Sequence, residues 1–295
     1  MTIEAALDVA AARAGRGEVV FPDDLRGFPG TVHGGAVAAL VHRLTRPRPP
    51  VRLRLHLRRG VPPETPLRLV TGSVGAEARL ELWQADRHLA QAELTRQLEA
   101  PGAATPAPDP TTFGPPEGKM PRTPSCLACG TENPLALGLQ LGWNARWIWQ
   151  SFEPPESYRT RAGRIDPALA TIALDEIGWW LGALAQGECG VTTEIEITLW
   201  GPISDEPLLL VGDRTMVRTD DDPRGRYCRA SSSLFSRSGA AVATAEVRFG
   251  GSRAYTRRLL EPFLAVTSLP DLTRLFPGVT ALAEPAKSPP DTAPV

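Results

Sequence analysis

Two stretches of the chain carry complementary parts of one polar pattern. FPGTVHGGAVAALVHRL, residues 28–44, places a histidine and two glycines before a run of small apolar residues and contains no acid. AGRIDPALATIALDEIGWW, residues 162–180, contains an Asp–Glu pair within an apolar run and lacks the histidine and the glycines. The apolar runs predict two helices, near Gly34–Leu44 and near Pro167–Gln186. Each predicted helix therefore carries polar residues that the other one lacks.

The segments that follow the two predicted helices also repeat each other. In the first of them, apolar residues alternate with polar ones from Val51 to Leu57, as a strand with one buried face requires. The corresponding segments are VRLRLHLRR (51–59) and VTTEIEITLW (191–200), ETPLRLVTG (64–72) and DEPLLLVGD (205–213), and RHLAQAEL (87–94) and AAVATAEV (240–247).

A strand is also predicted before each helix, in EVVF at 18–21 and in LQLGWNARWIWQSF at 139–152. The order of a strand, a helix and about four antiparallel strands thus occurs twice. Because a helix followed by a meander of strands can bury one face of the sheet against the helix, the order predicts an α+β fold. In it, a curved antiparallel sheet wraps each of the two helices.

Proline-rich segments divide the chain. Residues 100–125, APGAATPAPDPTTFGPPEGKMPRTPS, contain few apolar residues and predict an extended linker. The linker places an N-terminal unit at residues 1–99 and a C-terminal unit at residues 126–250. Residues 251–295 form an extension whose first part has a partly helical pattern and whose end is predicted to be a disordered tail.

The composition restricts the function classes. The chain has 295 residues and is 42% apolar, which suffices for a buried core. Its 32 Lys and Arg residues balance 33 Asp and Glu residues, so no large net charge points to nucleic acid or to a membrane as a partner. No signal-peptide pattern opens the chain and no apolar run reaches about 18 residues. With only four scattered cysteines, the chain is expected to be cytoplasmic.

Three motifs resemble those of hotdog-fold thioesterases of the phenylacetate-pathway type. PGTVHGGAVAAL at 29–40 is similar to the PG-x-VHGG helix start of that family. CLACGTENPLALGLQL at 126–141 is similar to its C-x-x-CG-x-x-NP-x-GL-x-L opening, and LDEIGWW at 174–180 to the LLDE-x-x-GW of its central helix. The resemblance covers about residues 18–250 and implies a double hotdog. Ala136 and Gly27 depart from the family pattern.

Helix geometry predicts that the two helices share one site. Nine residues, or about 13.5 Å, separate the helix start at His33 from His42 on its own helix, and the same spacing separates Asp166 from Asp175. The start and the acid of one helix therefore cannot reach the same atom. In the family that the chain resembles, each helix start faces the middle of its partner's helix. The predicted site is His33, Gly34, Gly35, Asp175 and Glu176.

The reciprocal arrangement would bring together Asp166, Pro167, Ala168 and His42, which lack this chemistry. We therefore expect one active site and one inactive pseudo-site within an intramolecular pseudo-dimer. A further homodimer remains an open alternative.

The predicted site suits hydrolysis of an acyl-CoA or acyl-carrier thioester. Backbone N–H groups of Gly34 and Gly35 at a helix N-terminus can polarise the carbonyl and stabilise an oxyanion. Asp175 would act as a general base or as a nucleophile, and the sequence leaves both roles open. One of Asp175 and Glu176 is expected to face solvent, and Asp175 is favoured for the chemistry. The resemblance implies that Thr192 supplies a hydroxyl that orients water or the carboxylate.

Two other functions fit the same residues. In a hotdog hydratase or dehydratase, His33 and Asp175 would work as an acid–base pair on the acyl chain while the thioester stays intact. A non-catalytic protein that binds acyl-CoA or an acyl carrier would fit the short first helix and the inactive reciprocal site. Trp179 and Trp180, directly after the acidic pair, suit either core packing or a pocket for an aromatic or short acyl group.

Cys126 and Cys129 form a lone C-x-x-C. Zinc requires two further ligands, and Cys189 and Cys228 lie far away in the sequence at no metal-like spacing. We therefore expect a structural turn at this motif, and neither a metal nor a cofactor.

Overall fold

The computed structural model describes residues 1–74, 77–96, 107–277 and 279. Within these residues it contains five α-helices and thirteen strands. The helices are α1 Ile3–Ala11, α2 Gly34–Thr45, α3 Ala168–Gln186, α4 Arg253–Leu264 and α5 Leu269–Leu275. The strands are β1 Glu18–Val19, β2 Val51–Leu57, β3 Leu67–Val74, β4 Glu77–Gln84, β5 Arg87–Arg96, β6 Gly118–Lys119, β7 Gly142–Trp143, β8 Trp147–Phe152, β9 Gly190–Leu199, β10 Leu208–Asp213, β11 Arg218–Thr219, β12 Tyr227–Phe235 and β13 Ala241–Gly251.

All thirteen described strands belong to one antiparallel sheet. Its order is β1-β3-β4-β5-β2-β9-β13-β12-β10-β8-β7-β6, and β11 pairs with β12 outside this path. The first five strands in this order come from residues 18–96, the N-terminal half of the fold, and the remainder from residues 118–251, its C-terminal half. Each half carries one of the helices α2 and α3. The predicted α+β class and double-hotdog arrangement are thus confirmed.

The two halves join through strands β2 and β9. Their register pairs Leu53 with Ile197 and Leu55 with Ile195, and all four side chains are buried. These residues occupy corresponding positions in the sequence repeat. The joint therefore continues one buried apolar face across both units, and no sheet edge is exposed there.

Helix α3 forms the centre of the core. Its residues from Ala168 to Ala183 are buried without interruption, so the helix is enclosed on all sides. Among the described helices, α3 alone is long and apolar enough to cross a membrane, but 89% of its most apolar window is buried inside the protein. Burial of this kind is typical of a core helix in a water-soluble domain.

The shorter helix α2 crosses α3 at Gly35, where the two backbones touch. A Cβ atom at this position would lie 2.5 Å from the carbonyl oxygen of Thr171 and 2.6 Å from the Cα atom of Ile172. The Thr171 hydroxyl donates to the Gly35 carbonyl oxygen at 2.8 Å. Only glycine permits this close approach. The crossing sets the start of α2 against the middle of α3.

The prediction of an extended linker is wrong for residues 107–125. They contain a short turn of 3-10 helix at Pro110–Phe113 and strand β6, which pairs with β7. Phe113 is buried and stacks on Trp149, with ring centroids 5.3 Å apart. The few apolar side chains of this proline-rich segment thus cover tryptophans that the sheet exposes. The remainder of the predicted linker, residues 100–106, lies outside the described residues.

The extension after β13 packs on the core through two helices. The rings of Phe263 and Phe276 lie 5.8 and 6.2 Å from that of Trp180 on α3. The partly helical pattern predicted for 253–276 thus corresponds to α4 and α5. Residues 278 and 280–295, which include the predicted tail, lie outside the described residues. Helix α1, which the sequence analysis did not predict, packs against α2, and Arg43 donates to Asp8 at 2.8 Å.

Replacement of Gly35 by alanine should destabilise the fold. In an exposed helix this change would favour folding by up to about 1 kcal/mol. Here the added methyl group would force apart two backbones, which should lower the free energy of unfolding by about 1–3 kcal/mol. Chemical denaturation of Gly35→Ala measures the change. Gly15→Ala is the matched control, because no atom lies within 4 Å of its added Cβ. Equal stability of the two variants would contradict the proposed role of the crossing.

Candidate functional site

His33 begins helix α2 as its N-cap residue. Its backbone is extended, and its Nδ1 atom lies 3.1 Å from the Gly35 nitrogen. A Cβ atom at Gly27 would lie 3.2 Å from the Cα atom of His33. The small residue at position 27, a departure from the family pattern, thus leaves room for the backbone of His33.

Asp175 on α3 lies against this helix start. Its Oδ2 atom accepts the Gly35 N–H at 2.8 Å and lies 3.2 Å from Nδ1 of His33. Its Oδ1 atom accepts the Thr192 hydroxyl at 2.9 Å. The structure therefore brings together the histidine of one half and the aspartate of the other. It also places Thr192 on the carboxylate.

Glu176 lies beside His33 on its other ring nitrogen. Its Oε2 atom is 3.6 Å from Nε2 of His33, and its Oε1 atom accepts the Trp180 indole N–H at 3.0 Å. Asp175 is 4% exposed and Glu176 is 7% exposed. The expectation that one of the two faces solvent is wrong, because α3 is enclosed on all sides.

Burial and hydrogen bonds shift the pKa values of Asp175 and His33. Burial raises the pKa of Asp175, and His33, Thr192 and the Gly35 N–H oppose the rise. Burial alone would lower the pKa of His33, but hydrogen bonds with Cys126 and Glu176 and the charge of Asp175 raise it well above its ordinary value. Because Asp175 already accepts the Gly35 N–H, Nδ1 of His33 can carry a proton and donate it to the same carboxylate.

The two glycines at the start of α2 have different roles. The Gly35 N–H is bound by Asp175, so the expectation that it stabilises a substrate oxyanion is wrong. Gly34 lines the cavity beside Asp175, and its N–H is one of those that the helix itself leaves unpaired. A Cβ atom at Gly34 would lie 2.7 Å from Oδ2 of Asp175. Gly34 therefore allows the helix start and the carboxylate to lie side by side.

A cavity of about 500 Å³ opens onto these groups. His33, Gly34, Asp175, Glu176 and Thr192 form its polar wall. Aromatic side chains and two exposed arginines form other parts of the lining. They are Phe28, Trp179, Tyr227 and Tyr255, and Arg58 and Arg59. The sequence analysis singled out Trp179, but it identified neither the tyrosines nor the arginines.

The C-x-x-C motif also reaches the site, which the sequence analysis did not predict. Cys126 lines the cavity, and its thiol is hydrogen bonded to Cys129 and to His33. These bonds hold the pKa of Cys126 below that of an ordinary thiol. Backbone pairing places the motif here, since the Leu127 N–H donates to the Arg26 carbonyl oxygen at 2.8 Å. No local sequence signal encodes this contact between distant segments.

Three of the four residues of the predicted pseudo-site, His42, Asp166 and Pro167, line a second cavity of about 690 Å³. Asp166 accepts the Ala168 N–H at 2.9 Å and thereby caps helix α3. The buried Nε2 atom of His42 has no hydrogen-bond partner among the described residues. The second cavity therefore lacks the linked histidine and carboxylate of the first.

His42 should make the protein less stable in acid. Burial and the neighbouring Arg43 lower the pKa of His42 from 6.5 to about 4 in the folded chain, although Asp166 and Glu4 face the same cavity. The unfolded chain therefore binds this proton first as the pH falls, which favours unfolding. Between about pH 7 and pH 5, the wild type should lose up to about 2 kcal/mol more of its free energy of unfolding than His42→Gln. Urea denaturation at both pH values measures this difference, and equal losses would contradict the prediction.

Comparison with known proteins identifies the fold through solved structures. No protein-family model matches the sequence, and no curated protein matches it. A putative thioesterase II from Thermobifida fusca YX matches with a TM-score of 0.60 and 16% identity, covering 86% of this chain and 100% of that one. The TesB protein of Mycobacterium avium subspecies paratuberculosis matches with a TM-score of 0.56 and 15% identity, covering 85% and 98%.

The dehydratase domain of PpsC from Mycobacterium tuberculosis, solved in complex with C12:1-CoA, matches with a TM-score of 0.53 and 18% identity. The match covers 80% of this chain and 92% of that domain. The chain therefore has the double hotdog fold, which it shares with structures described as thioesterases and as dehydratases.

Proposed function

We propose that the protein hydrolyses an acyl thioester at the site between its two hotdog units. The observation that carries this proposal is the position of Asp175. Its carboxylate is fixed by Thr192 and by the Gly35 N–H, and it lines a cavity beside the helix start at Gly34. An acid next to a helix N-terminus can serve a reaction in which water is activated and negative charge develops on a carbonyl oxygen.

In this mechanism Asp175 acts as the general base. Burial raises its pKa, which makes the carboxylate a better proton acceptor. Water attacks the carbonyl carbon and passes its proton to Asp175, while the Gly34 N–H stabilises the oxyanion. The C–S bond then breaks, and the thiolate takes up the proton from Asp175. His33 donates to Asp175 and keeps the carboxylate in place.

The base role is distinguishable from direct attack. As a base, Asp175 never forms a bond to the acyl group. As a nucleophile, it would form an anhydride, and attack of water on the aspartyl carbonyl of that anhydride would leave solvent oxygen in the Asp175 side chain. After turnover in ¹⁸O-labelled water, mass spectrometry of the peptide that contains Asp175 should therefore detect no label. Incorporation of label would establish the nucleophilic mechanism.

The lining of the cavity favours an aromatic or short acyl group on coenzyme A. The rings of Phe28 and Trp179 lie 5.2 Å apart and would pack against such a group. Arg58 and Arg59 have no ion-pair partner in the part of the chain that the structure describes. Guanidinium groups suit phosphate, and these two stand where the cavity reaches the surface.

Asp175→Asn should lower the rate of thiol release at least about 100-fold, since it removes the general base. The assay follows free thiol released from aromatic and short acyl-CoAs, with circular dichroism to verify folding. Asp166→Asn is the matched control, because it makes the same change at a buried carboxylate that lines the second cavity. The control should retain the wild-type rate. Loss of activity in the control together with retention in Asp175→Asn would place the reaction at the other cavity.

Arg58→Ala combined with Arg59→Ala should raise KM for the acyl-CoA about tenfold without a comparable fall in kcat. The guanidinium groups would contact phosphates that lie away from the reacting carbonyl. The same acyl group on N-acetylcysteamine provides the control, since this thioester lacks phosphates and should keep its KM. An equal change for both substrates would show that the arginines do not bind the phosphates.

A dehydratase or hydratase reaction is the second candidate. The His33–Asp175 pair, which comes from the two units and has Nδ1 and Oδ2 3.2 Å apart, is an acid–base pair facing the cavity. The solved structures with the same fold also include dehydratases. Incubation with 3-hydroxyacyl and enoyl thioesters separates the candidates, because dehydration changes the enoyl absorbance and releases no thiol. Binding without either reaction would indicate an acyl-CoA-binding protein.

A further inference from the structure

His33 and Glu176 lie beside the C-x-x-C motif, which in the sequence lacks two of the four ligands that zinc requires. A ring nitrogen of His33, the Cys126 thiol sulfur and a Glu176 carboxylate oxygen all lie within 4.8 Å of one another. All three residues are buried. Cys126 and Glu176 are neighbours of the Cys129 thiol and, together with burial, raise its pKa well above its ordinary value. A nitrogen, an oxygen and one sulfur atom thus lie together next to the cavity, and the Cys129 thiol neighbours two of these residues.

We propose that His33, Cys126, Cys129 and Glu176 bind a zinc ion. Zinc takes four ligands in a tetrahedron, with bonds of about 2.0–2.3 Å, so neighbouring ligand atoms lie about 3.3–3.8 Å apart. Nε2 of His33 and Oε2 of Glu176 are already 3.6 Å apart. Rotation of the neighbouring Cys129 side chain would bring its thiol to the ion as the fourth ligand. Two cysteine residues spaced as C-x-x-C are a common half of such a site.

The groups around these ligands are those that a zinc site requires. A histidine that binds zinc usually donates its other ring N–H to a carboxylate, and Nδ1 of His33 lies 3.2 Å from Asp175. The Trp180 indole N–H donates to one oxygen of Glu176, which leaves the oxygen nearer His33 for the metal. The Ala128 N–H donates to the Cys126 sulfur at 3.4 Å, which supports a thiolate.

The charges of the ligand set also fit a divalent cation. Two thiolates and a carboxylate would bring three negative charges into a buried volume, where unpaired charge is costly. A zinc ion offsets two of them and replaces the proton on Nε2 of His33. The ion would fasten the C-x-x-C turn to the start of α2 and to the middle of α3. Asp175, the proposed general base, is not a ligand of the ion. It would contact only the other ring nitrogen of the ligand His33.

Metal binding is measurable without any enzyme assay. The full-length protein, stripped with a chelator under reducing conditions, is titrated with Zn²⁺ and with Co²⁺. We expect about one ion per chain by mass spectrometry of the metal, and a thiolate-to-cobalt absorption band. Absence of bound metal in folded wild-type protein would overturn the proposal, whatever the outcome of the thioesterase assay.

Variants test which side chains bind the ion. Cys126→Ser and Glu176→Gln should each weaken zinc binding at least about 100-fold, and Cys126→Ser should also reduce the cobalt band. Glu176→Gln keeps the size of the side chain and an oxygen that can accept from Trp180, so it covers the case in which the serine variant does not fold. Cys228→Ser is the matched control, since Cys228 is also buried but lies on β12. Unchanged binding in both ligand variants, or equal loss in the control, would refute this ligand set.

Discussion

The close contact of two helix backbones at Gly35 determines the geometry of the whole site. Because no side chain separates α2 from α3 there, the first N–H groups of α2 lie next to a carboxylate in the middle of α3. The pairing of β2 with β9 holds the two halves of the sheet in the register that this crossing requires. A larger residue at position 35 would push α2 and α3 apart and would thereby separate His33 from Asp175. Stability and chemistry therefore depend on the same atom-to-atom contact.

The buried polar groups of the site form a connected set. Removing an ionised carboxylate from water is costly unless hydrogen bonds or opposite charge compensate for it. Asp175 has three such partners in His33, Thr192 and the Gly35 N–H. Glu176 has the Trp180 indole on one side and His33 on the other. The loss of any one partner leaves a buried group unpaired, so the effect of a substitution at this site will exceed the strength of a single hydrogen bond.

The sequence predicted the parts of the fold that local patterns encode. Helices α2 and α3, the paired strands and the meeting of His33 with Asp175 follow from hydrophobic periodicity, the repeat and the length of a helix turn. The approach of Cys126 to His33 could not be predicted, because it depends on backbone pairing between segments far apart in the chain. The burial of Phe113 was missed for a related reason. A proline-rich segment with one phenylalanine has the composition of a linker. Only the structure shows that this phenylalanine packs on tryptophans of the sheet.

The two cavities differ in the carboxylate that lies at each helix start. The start of α2 binds Asp175 from the other unit, and the start of α3 binds Asp166 from its own unit. In the first cavity, a small residue at Gly34 lets a carboxylate approach the helix start, and the carboxylate is held there by groups from both units. In the second, Asp166 caps its own helix and His42 is buried without a partner. A homodimer of single hotdog units would have to keep both cavities equivalent. A tandem chain has no such constraint, so one cavity could retain a complete polar network while the other kept only the residues that packing requires.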